Sequence, residues 1–367
     1  MAVQASQAAD TPPSPWLTVV RAVVLLTAGI SVLLTAFAWP SVRSSVHDVP
    51  IAVAGPATAV EQISTALGQR LPGGFEIIEV AGTAAAERLI RDRQVYGAID
   101  VSSGTPQVIM ASAAGAAVAQ TLQSLATALN QAQTQGTGTA IAVRDLVALP
   151  ADDPRGAGLA AGALPLVMGG LLAPLLLTRL VRGTARRVTG ALTFAITGGL
   201  AAAAILQFWL GSLNGSYWAN SGAIALTIAA TSLSILGLES LLGVAGFGLG
   251  AVVMMLIGNP LSGAATAPEM LPGWSGVLGQ LLPPGAGGQL LRSTAFFDGR
   301  GVTHSVVVLV AWLALGVVLC LAACLRVRGT ATVAAGLPQA AASPASPTRP
   351  RPGDVVASES ETPLSLR

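Results

Sequence analysis

The 367-residue chain contains no lysine; all 19 of its cationic side chains are arginine. That absence excludes the phosphate-binding loop G-x-x-x-x-G-K-[ST], whose lysine reaches the nucleotide phosphates. Histidine is almost as scarce. His47 and His304 each flank an apolar run without a cluster of other ligand types nearby, which argues against a metal centre and against a serine triad with a positioned base. The two cysteines, Cys320 and Cys324, lie four apart within the last apolar run. They share one helix face there and read as small packing residues rather than as a disulfide. Charged residues make up only 10% of the chain, against about 25% in a soluble domain. The net charge of +2 is too small for a nucleic-acid binder, so the placement of the charges carries the information. Arginine in place of lysine, with abundant Ala, Gly and Pro, marks a GC-rich bacterial source.

Apolar runs are what the chain has in plenty. Residues 16–39 are long enough to cross a bilayer, which takes about 20 residues. Ala36-Phe37-Ala38 also resembles a signal-peptide cleavage site, but the run is longer than a secretory h-region of about 7–15 residues and Pro40 follows closely. An uncleaved anchor is the favoured reading. Residues 40–158 read as a soluble insert. Ile51–Ala54, Phe75–Val80, Val95–Val101, Gln107–Met110 and Ile141–Leu149 read as strands or extended segments. Between them lie helices from Thr58 to Gln69, from a Thr83 cap to Arg93, and from Ala113 to Asn130, with a polar loop at Gln131–Thr139. The alternation predicts a compact α/β unit.

Residues 159–328 return to the membrane. Leu159–Leu180, Val188–Leu210 and Ser305–Leu325 each read as one span, and the apolar stretch from Ser221 to Gly258 reads as a hairpin of two, tipped at Glu239-Ser240. The fold class that follows is an α-helical polytopic membrane protein with about six transmembrane helices and a small extracytoplasmic α/β domain. Arg179, Arg182, Arg186 and Arg187 occur without an intervening acid, and Arg326 and Arg328 follow the last span. With six spans, both groups fall on one side, which the positive-inside rule makes cytoplasmic. Residues 1–15 and a disordered 329–367 are then cytoplasmic tails. The insert carries seven arginines and ten acids and does not oppose this orientation. The four clustered arginines serve topology and lipid headgroups, and equally suit a coupling loop toward a cytoplasmic partner. Glu239 is either a solvated turn residue or an intramembrane acid with a function.

Residues 259–301 lie outside in this topology yet are hardly polar. Two apolar stretches, Met270–Leu282 and Gln289–Phe297, flank Pro283-Pro284-Gly285, and neither is long enough to span. The segment is an interfacial loop or a re-entrant hairpin that closes a translocation path, where irregular backbone must be covered by protein.

These residues carry a resemblance. One span, an outer domain, then five spans with a Pro/Gly-punctuated element before the last resembles ABC-2-type export permeases. Gly258-Asn259-Pro260-Leu261-Ser262-Gly263, Pro268-Glu269-Met270-Leu271-Pro272-Gly273 and Leu282-Pro283-Pro284-Gly285 are similar to the signature in that group. Val95-Tyr96-Gly97-Ala98-Ile99 and Ala111-Ser112-Ala113-Ala114-Gly115 resemble the actinobacterial YhgE/Pip (phage infection protein) branch, many of whose members have a far larger outer domain. The resemblance implies a permease subunit of the bacterial plasma membrane, not itself an enzyme and without a cofactor. It would work as a homo- or heterodimer with a separate cytoplasmic ABC ATPase and export an envelope-related or amphipathic substrate. Arg179, Arg182, Arg186, Arg187 and Glu239 are the coupling-loop candidates. Asn259, Pro260, Pro268, Glu269, Pro272, Pro283, Pro284 and Arg292 are the gate candidates. The alternative is a non-transporting surface protein whose outer domain binds an envelope component or serves as an attachment site.

Overall fold

The structure, a computed structural model, describes residues 14–133 and 140–335. The helix α1 (Trp16–Arg43) leads into an α/β domain built from β1 (Val49–Ala54), α2 (Ala57–Arg70), β2 (Phe75–Val80), α3 (Thr83–Arg91), β3 (Gly97–Asp100), β4 (Gln107–Met110), α4 (Ala116–Gln133) and β5 (Ala142–Asp145). The strands form one sheet in the order β2-β1-β3-β4-β5, parallel except for the antiparallel β3/β4 pair. The β3/β4 connection turns at Gly104, whose φ of +79° suits glycine. Part of the predicted loop at Gln131–Thr139, residues 134–139, lies outside the described residues, and α4 continues to Gln133.

Alternation along the strands sorts the core onto two faces. Val49 and Ile51 of β1 pack with Leu67 of α2 and Val118, Leu122 and Leu125 of α4. Ala52 and Ala54 pack on the other face with Ala86 and Ile90 of α3. Thr83 does not cap α3 as predicted. Gly82 takes the cap position, and the Thr83 hydroxyl donates to Asp100 at the end of β3. Asp100 is fully buried and also accepts from the Ser102 backbone N–H (2.9 Å), the Ser102 hydroxyl (2.6 Å) and the Gln107 amide (2.9 Å).

The remaining helices are α5 (Ala157–Leu180), α6 (Thr184–Ala204), α7 (Tyr217–Leu242), α8 (Val244–Ala251), α9 (Ser275–Gln280), α10 (Pro283–Phe296) and α11 (Thr303–Ala335). Wider π-turns extend α6 to Trp209 and α8 to Gly258. The chain is a polytopic helical protein: five helices, α1, α5, α6 with its extension, α7 and α11, are long and apolar enough to cross a membrane. The sixth predicted span is Val244–Gly258, eight plus seven residues, or about 22 Å at the helical rise. Its partner α7 takes most of the predicted hairpin because the turn is at Gly243, with φ +64°, and not at Glu239-Ser240. Both of those residues lie inside the last turn of α7. The predicted disordered tail starts too early, since α11 is helical to Ala335; residues 336–367 lie outside the described residues.

The helix α7 is the buried centre of the bundle. Its Ser232 hydroxyl donates to the Gly170 carbonyl of α5 (3.0 Å), and its Ser234 hydroxyl to the Trp312 carbonyl of α11 (2.9 Å). Close approach of α7 and α11 needs small residues. A Cβ on Gly316 would lie 2.4 Å from the Leu233 carbonyl carbon, and one on Gly237 2.7 Å from the Gly316 oxygen.

Two outcomes follow. The Asp100 carboxyl is pushed up by burial, but the bonds from Ser102, Thr83 and Gln107 outweigh this and hold it below the ordinary carboxylate value. A depressed pKa contributes stability at neutral pH that is lost as pH falls through the folded value. Asp100→Asn should lower the stability of the detergent-solubilised chain by about 1.5–3 kcal/mol and flatten its acid loss below about pH 4, read by thermal unfolding; an unchanged acid profile would refute this role. Gly316→Val should separate α11 from α7 at a cost of about 1–3 kcal/mol, visible as a lower melting temperature, whereas Gly222→Val, which meets no atom within 4 Å, should not.

Candidate functional site

The segment between α8 and α11 folds as a compact hairpin against the bundle and the α/β domain together. Single 3₁₀ turns at Pro260–Ser262 and Pro268–Met270 precede α9. Pro283 and Pro284 do not separate two apolar stretches, as the sequence suggests; they open α10, where proline lacks only an N–H that would have no helical partner. The glycines let backbone meet backbone: a Cβ on Gly279 would lie 1.7 Å from the Leu261 oxygen, and one on Gly276 2.0 Å from the Pro268 oxygen. Side chains close the remaining gaps. Gln280 donates to the Ser262 carbonyl (3.0 Å), Trp312 of α11 to the Leu281 carbonyl (2.8 Å), and Thr294 to the Asn220 amide oxygen at the start of α7 (2.9 Å).

The hairpin also completes the core of the α/β domain. Ala267 and Met270 belong to the cluster on one sheet face, and Phe297 to the cluster on the other. Between these contacts sits a group of charges. Arg93 follows α3 with φ +59°, the left-handed position that usually takes glycine at a helix end. The Arg93 N–H bonds to the Ile90 carbonyl and the Gln94 N–H to the Leu89 carbonyl, completing that end motif. An arginine here costs on the order of 1–2 kcal/mol, and its side chain explains the cost. The guanidinium donates to the Gln289 carbonyl (2.9 Å), the Ser293 hydroxyl (2.5 Å) and the Gln289 side-chain oxygen, and its carbon lies 5.3 Å from the centre of the Phe297 ring. The Tyr96 hydroxyl donates to Glu269 at 2.6 Å. Asp92 and Arg300 add an exposed ion pair at the rim (2.9 Å), which contributes little.

Burial, and then the like charge of Arg292, push Arg93 down to about 10, while Tyr96 and Glu269 oppose the shift. Burial and then Glu269 push the Tyr96 hydroxyl well above its ordinary value. Burial lowers Arg292, with Tyr96 and Glu269 again opposing. Two guanidiniums thus share the influence of one carboxylate. Arg93, Tyr96, Glu269, Gln289 and His304 line a cavity of about 220 Å³. Glu269 and His304 also line an adjoining cleft of about 600 Å³ with His47 and Asp48. The two histidines, read separately from the sequence, face the same cleft. Among the described residues, no group of three or more His, Cys, Asp or Glu side chains is placed to hold a metal ion.

The structure divides the gate candidates. Glu269 joins the charge group and, with Pro268, lines both of these cavities. Asn259, Pro284 and Arg292 line a separate small cavity, and Asn259 and Pro260 line another beside α1. The Pro272 carbonyl accepts from Ser275 (2.7 Å), and Pro283 is buried; both are structural. The coupling candidates also divide. Arg179, Arg182 and Arg186 are exposed. Arg187 is half-buried and folds back, donating to the Val181 carbonyl (2.8 Å) and the Thr178 carbonyl (3.0 Å). Its Nη1 lies 3.8 Å from a Glu239 oxygen, too far for a hydrogen bond. Glu239 is therefore neither a fully solvated tip nor a deeply buried acid. It joins the α7/α8 turn to the α5/α6 turn.

Sequence reasoning missed Arg93, Gln289, Ser293 and Phe297. Nothing in the pattern Asp92-Arg93-Gln94 separates Arg93 from its exposed neighbours, and the one signal, a non-glycine left-handed residue, exists only in three dimensions. No family model, no curated protein and no solved structure matches the chain.

Arg93→Ala should release the hairpin from the domain. Charge-assisted bonds of this kind each contribute about 1.5–3 kcal/mol, so amide hydrogen exchange in Pro283–Phe296 should rise at least about tenfold. Exchange in the β1–β2 pair should stay as in the parent. Unchanged exchange in α10 would refute the latch.

Proposed function

We propose that the chain is the membrane subunit of an ABC-2-type exporter that moves an envelope-related or amphipathic substrate outward with a separate ATPase. The observation that carries this reading is the hairpin of α9 and α10. It is an irregular, largely apolar element packed at one end of a bundle of apolar helices and latched by the α/β domain, while the arginine-lined α5/α6 turn and the α7/α8 turn approach each other at the Arg187–Glu239 pair. Broken helices of this kind are tolerated in a membrane where protein or a cavity covers them. In this reading six segments cross, with Val244–Gly258 as the short sixth. The arginine-lined turns and both termini are cytoplasmic, the α/β domain is outside, and two such subunits enclose the path. The exposed Arg179, Arg182 and Arg186 face the ATPase, and Arg187 holds the two turns together beneath them. The chain itself has no lysine for a phosphate-binding loop, so the nucleotide belongs to the partner. The alternative of an autonomous surface module is disfavoured because Ala267, Met270 and Phe297 of the hairpin complete the domain's core.

Affinity purification from the native membrane should recover an ATP-binding-cassette protein. Arg182→Gln with Arg186→Gln should reduce that recovery several-fold at equal membrane levels. Labelling of a cysteine placed at Ser103 by an impermeant maleimide should confirm unchanged topology in the variant. Absence of any such ATPase with the parent chain, or equal recovery with the variant, would overturn the reading.

A further inference from the structure

We propose that Arg292 anchors the acidic headgroup of an amphiphile that reaches it from the bilayer between α1 and α5. The inference rests on the exporter reading for its biological sense, since it names a substrate class, but it concerns binding alone.

Arg292 lies in α10 and is 7% exposed. Its Nη2 donates to the Ala264 carbonyl at 3.2 Å, and its Nε has no partner. The cost of a buried charge is offset only when its donors are satisfied. Arg187 shows how this chain settles a structural arginine: Nε and Nη2 both find carbonyls, with Glu239 near Nη1. Arg93 spends both of its Nη atoms on α10, although its Nε, like that of Arg292, has no partner. Arg292 has only the one bond. Glu269, the carboxylate that bears on it, is bonded to Tyr96 instead. Neither guanidinium has a bonded counter-ion, and Arg292, with a single hydrogen bond, is the less satisfied of the two, which is the condition for taking an acidic oxygen.

The surroundings say what that oxygen is attached to. Arg292 lines a cavity of about 40 Å³ whose other walls include Leu159, Ala163, Leu166 and Ile224. That volume takes a water-sized group, so a headgroup can place one oxygen there. Ala163, Asn259, Ser262 and Ala264 also line a neighbouring cavity of about 190 Å³, bounded by Phe37 and Pro40 of α1 and by Ala160 and Leu164 of α5. The second cavity holds the rest of the headgroup among the Asn259 and Ser262 side chains. The gap between α1 and α5, two of the apolar spanning helices, takes the hydrocarbon chain. A free inorganic anion would have no use for these apolar walls.

The test is equilibrium binding to the purified full chain in nonionic detergent, without ATPase or transport. The probes are dodecyl phosphate, a zwitterionic dodecyl phosphocholine and inorganic phosphate. Dodecyl phosphate should bind saturably, and Arg292→Gln should weaken it at least about tenfold, the scale of one charge-assisted contact. Arg292→Lys should recover part of the loss, and Arg300→Gln should change nothing. If Arg292→Gln fails to fold, Ala163→Trp fills the apolar wall without touching the guanidinium and should also weaken dodecyl phosphate. Equal binding by the parent and the Arg292 or Ala163 variants overturns the proposal. So does inorganic phosphate binding as tightly as dodecyl phosphate, which would mean a free-anion site, or phosphocholine binding as tightly, which would mean no selection for net charge. Because no nucleotide enters the assay, loss of the exporter reading and loss of this site are separate results.

Discussion

The structure depends on one half-buried junction, where the Arg93 guanidinium of the α/β domain is held by Gln289 and Ser293 of α10. Without it, the hairpin's polar groups at this contact would be left unpaired, at a cost of about 1–3 kcal/mol for each group left unsatisfied. The junction is apolar as well as charged. Ala267 and Met270 close one face of the sheet and Phe297 the other, so the hairpin belongs to the core of the domain as much as to the bundle. The strained backbone at Arg93 is consistent with this, because a left-handed arginine persists only where its surroundings hold it.

The same economy of space runs through the bundle. Where α7 meets α11, and where Gly276 and Gly279 meet Pro268 and Leu261, a single methyl group would collide with backbone. Close contact of this kind replaces the hydrophobic driving force that helices lack among lipid chains. It also explains why a chain with 42 glycines still makes long helices: many of the glycines lie at contacts rather than at turns. The helix α7 carries the consequence, because it is buried along much of its length. It meets α10 through Asn220 and Thr294 near one end and lies near Arg187 through Glu239 near the other.

Much of the fold was legible because periodicity reports burial. The short apolar run Ile51–Ala54 and the polar side of the helix Thr58–Gln69 placed β1 and α2 to within a residue or two, and four of the five long apolar helices stood out by length. The errors lie where a single backbone angle decides. Glycine at 243 turns the chain, but Glu239-Ser240 was the polar pair that drew attention. Proline reads as a break, yet Pro283 and Pro284 begin a helix. Thr83 has the chemistry of a cap, but the helix begins one residue earlier than a Thr83 cap would allow, with Gly82 at the cap position, and the Thr83 hydroxyl donates to Asp100. In the site, Glu269 and Arg292 were among the gate candidates that the resemblance of residues 259–301 implied. Arg93 was not, since an arginine in a polar stretch carries no mark of burial until the segment that buries it, some two hundred residues later, is in place.

The position of the junction on the sheet is itself informative. Open α/β sheets receive ligands at the carboxyl ends of their strands, in the crevice where the strand order reverses. Here that reversal lies at β1, with α2 and α3 on opposite faces, and the crevice is filled. A Cβ on Gly55 would meet Val101 at 2.5 Å, and Asp100 is bonded by Thr83, Ser102 and Gln107. The hairpin meets the other end, at Ser44 and Ser45 before β1 and at Arg93 and Tyr96 before β3. A domain whose usual ligand crevice is closed, and whose opposite end carries Arg93, Tyr96 and the cavity they line with Glu269, is arranged around its contact with the helical bundle.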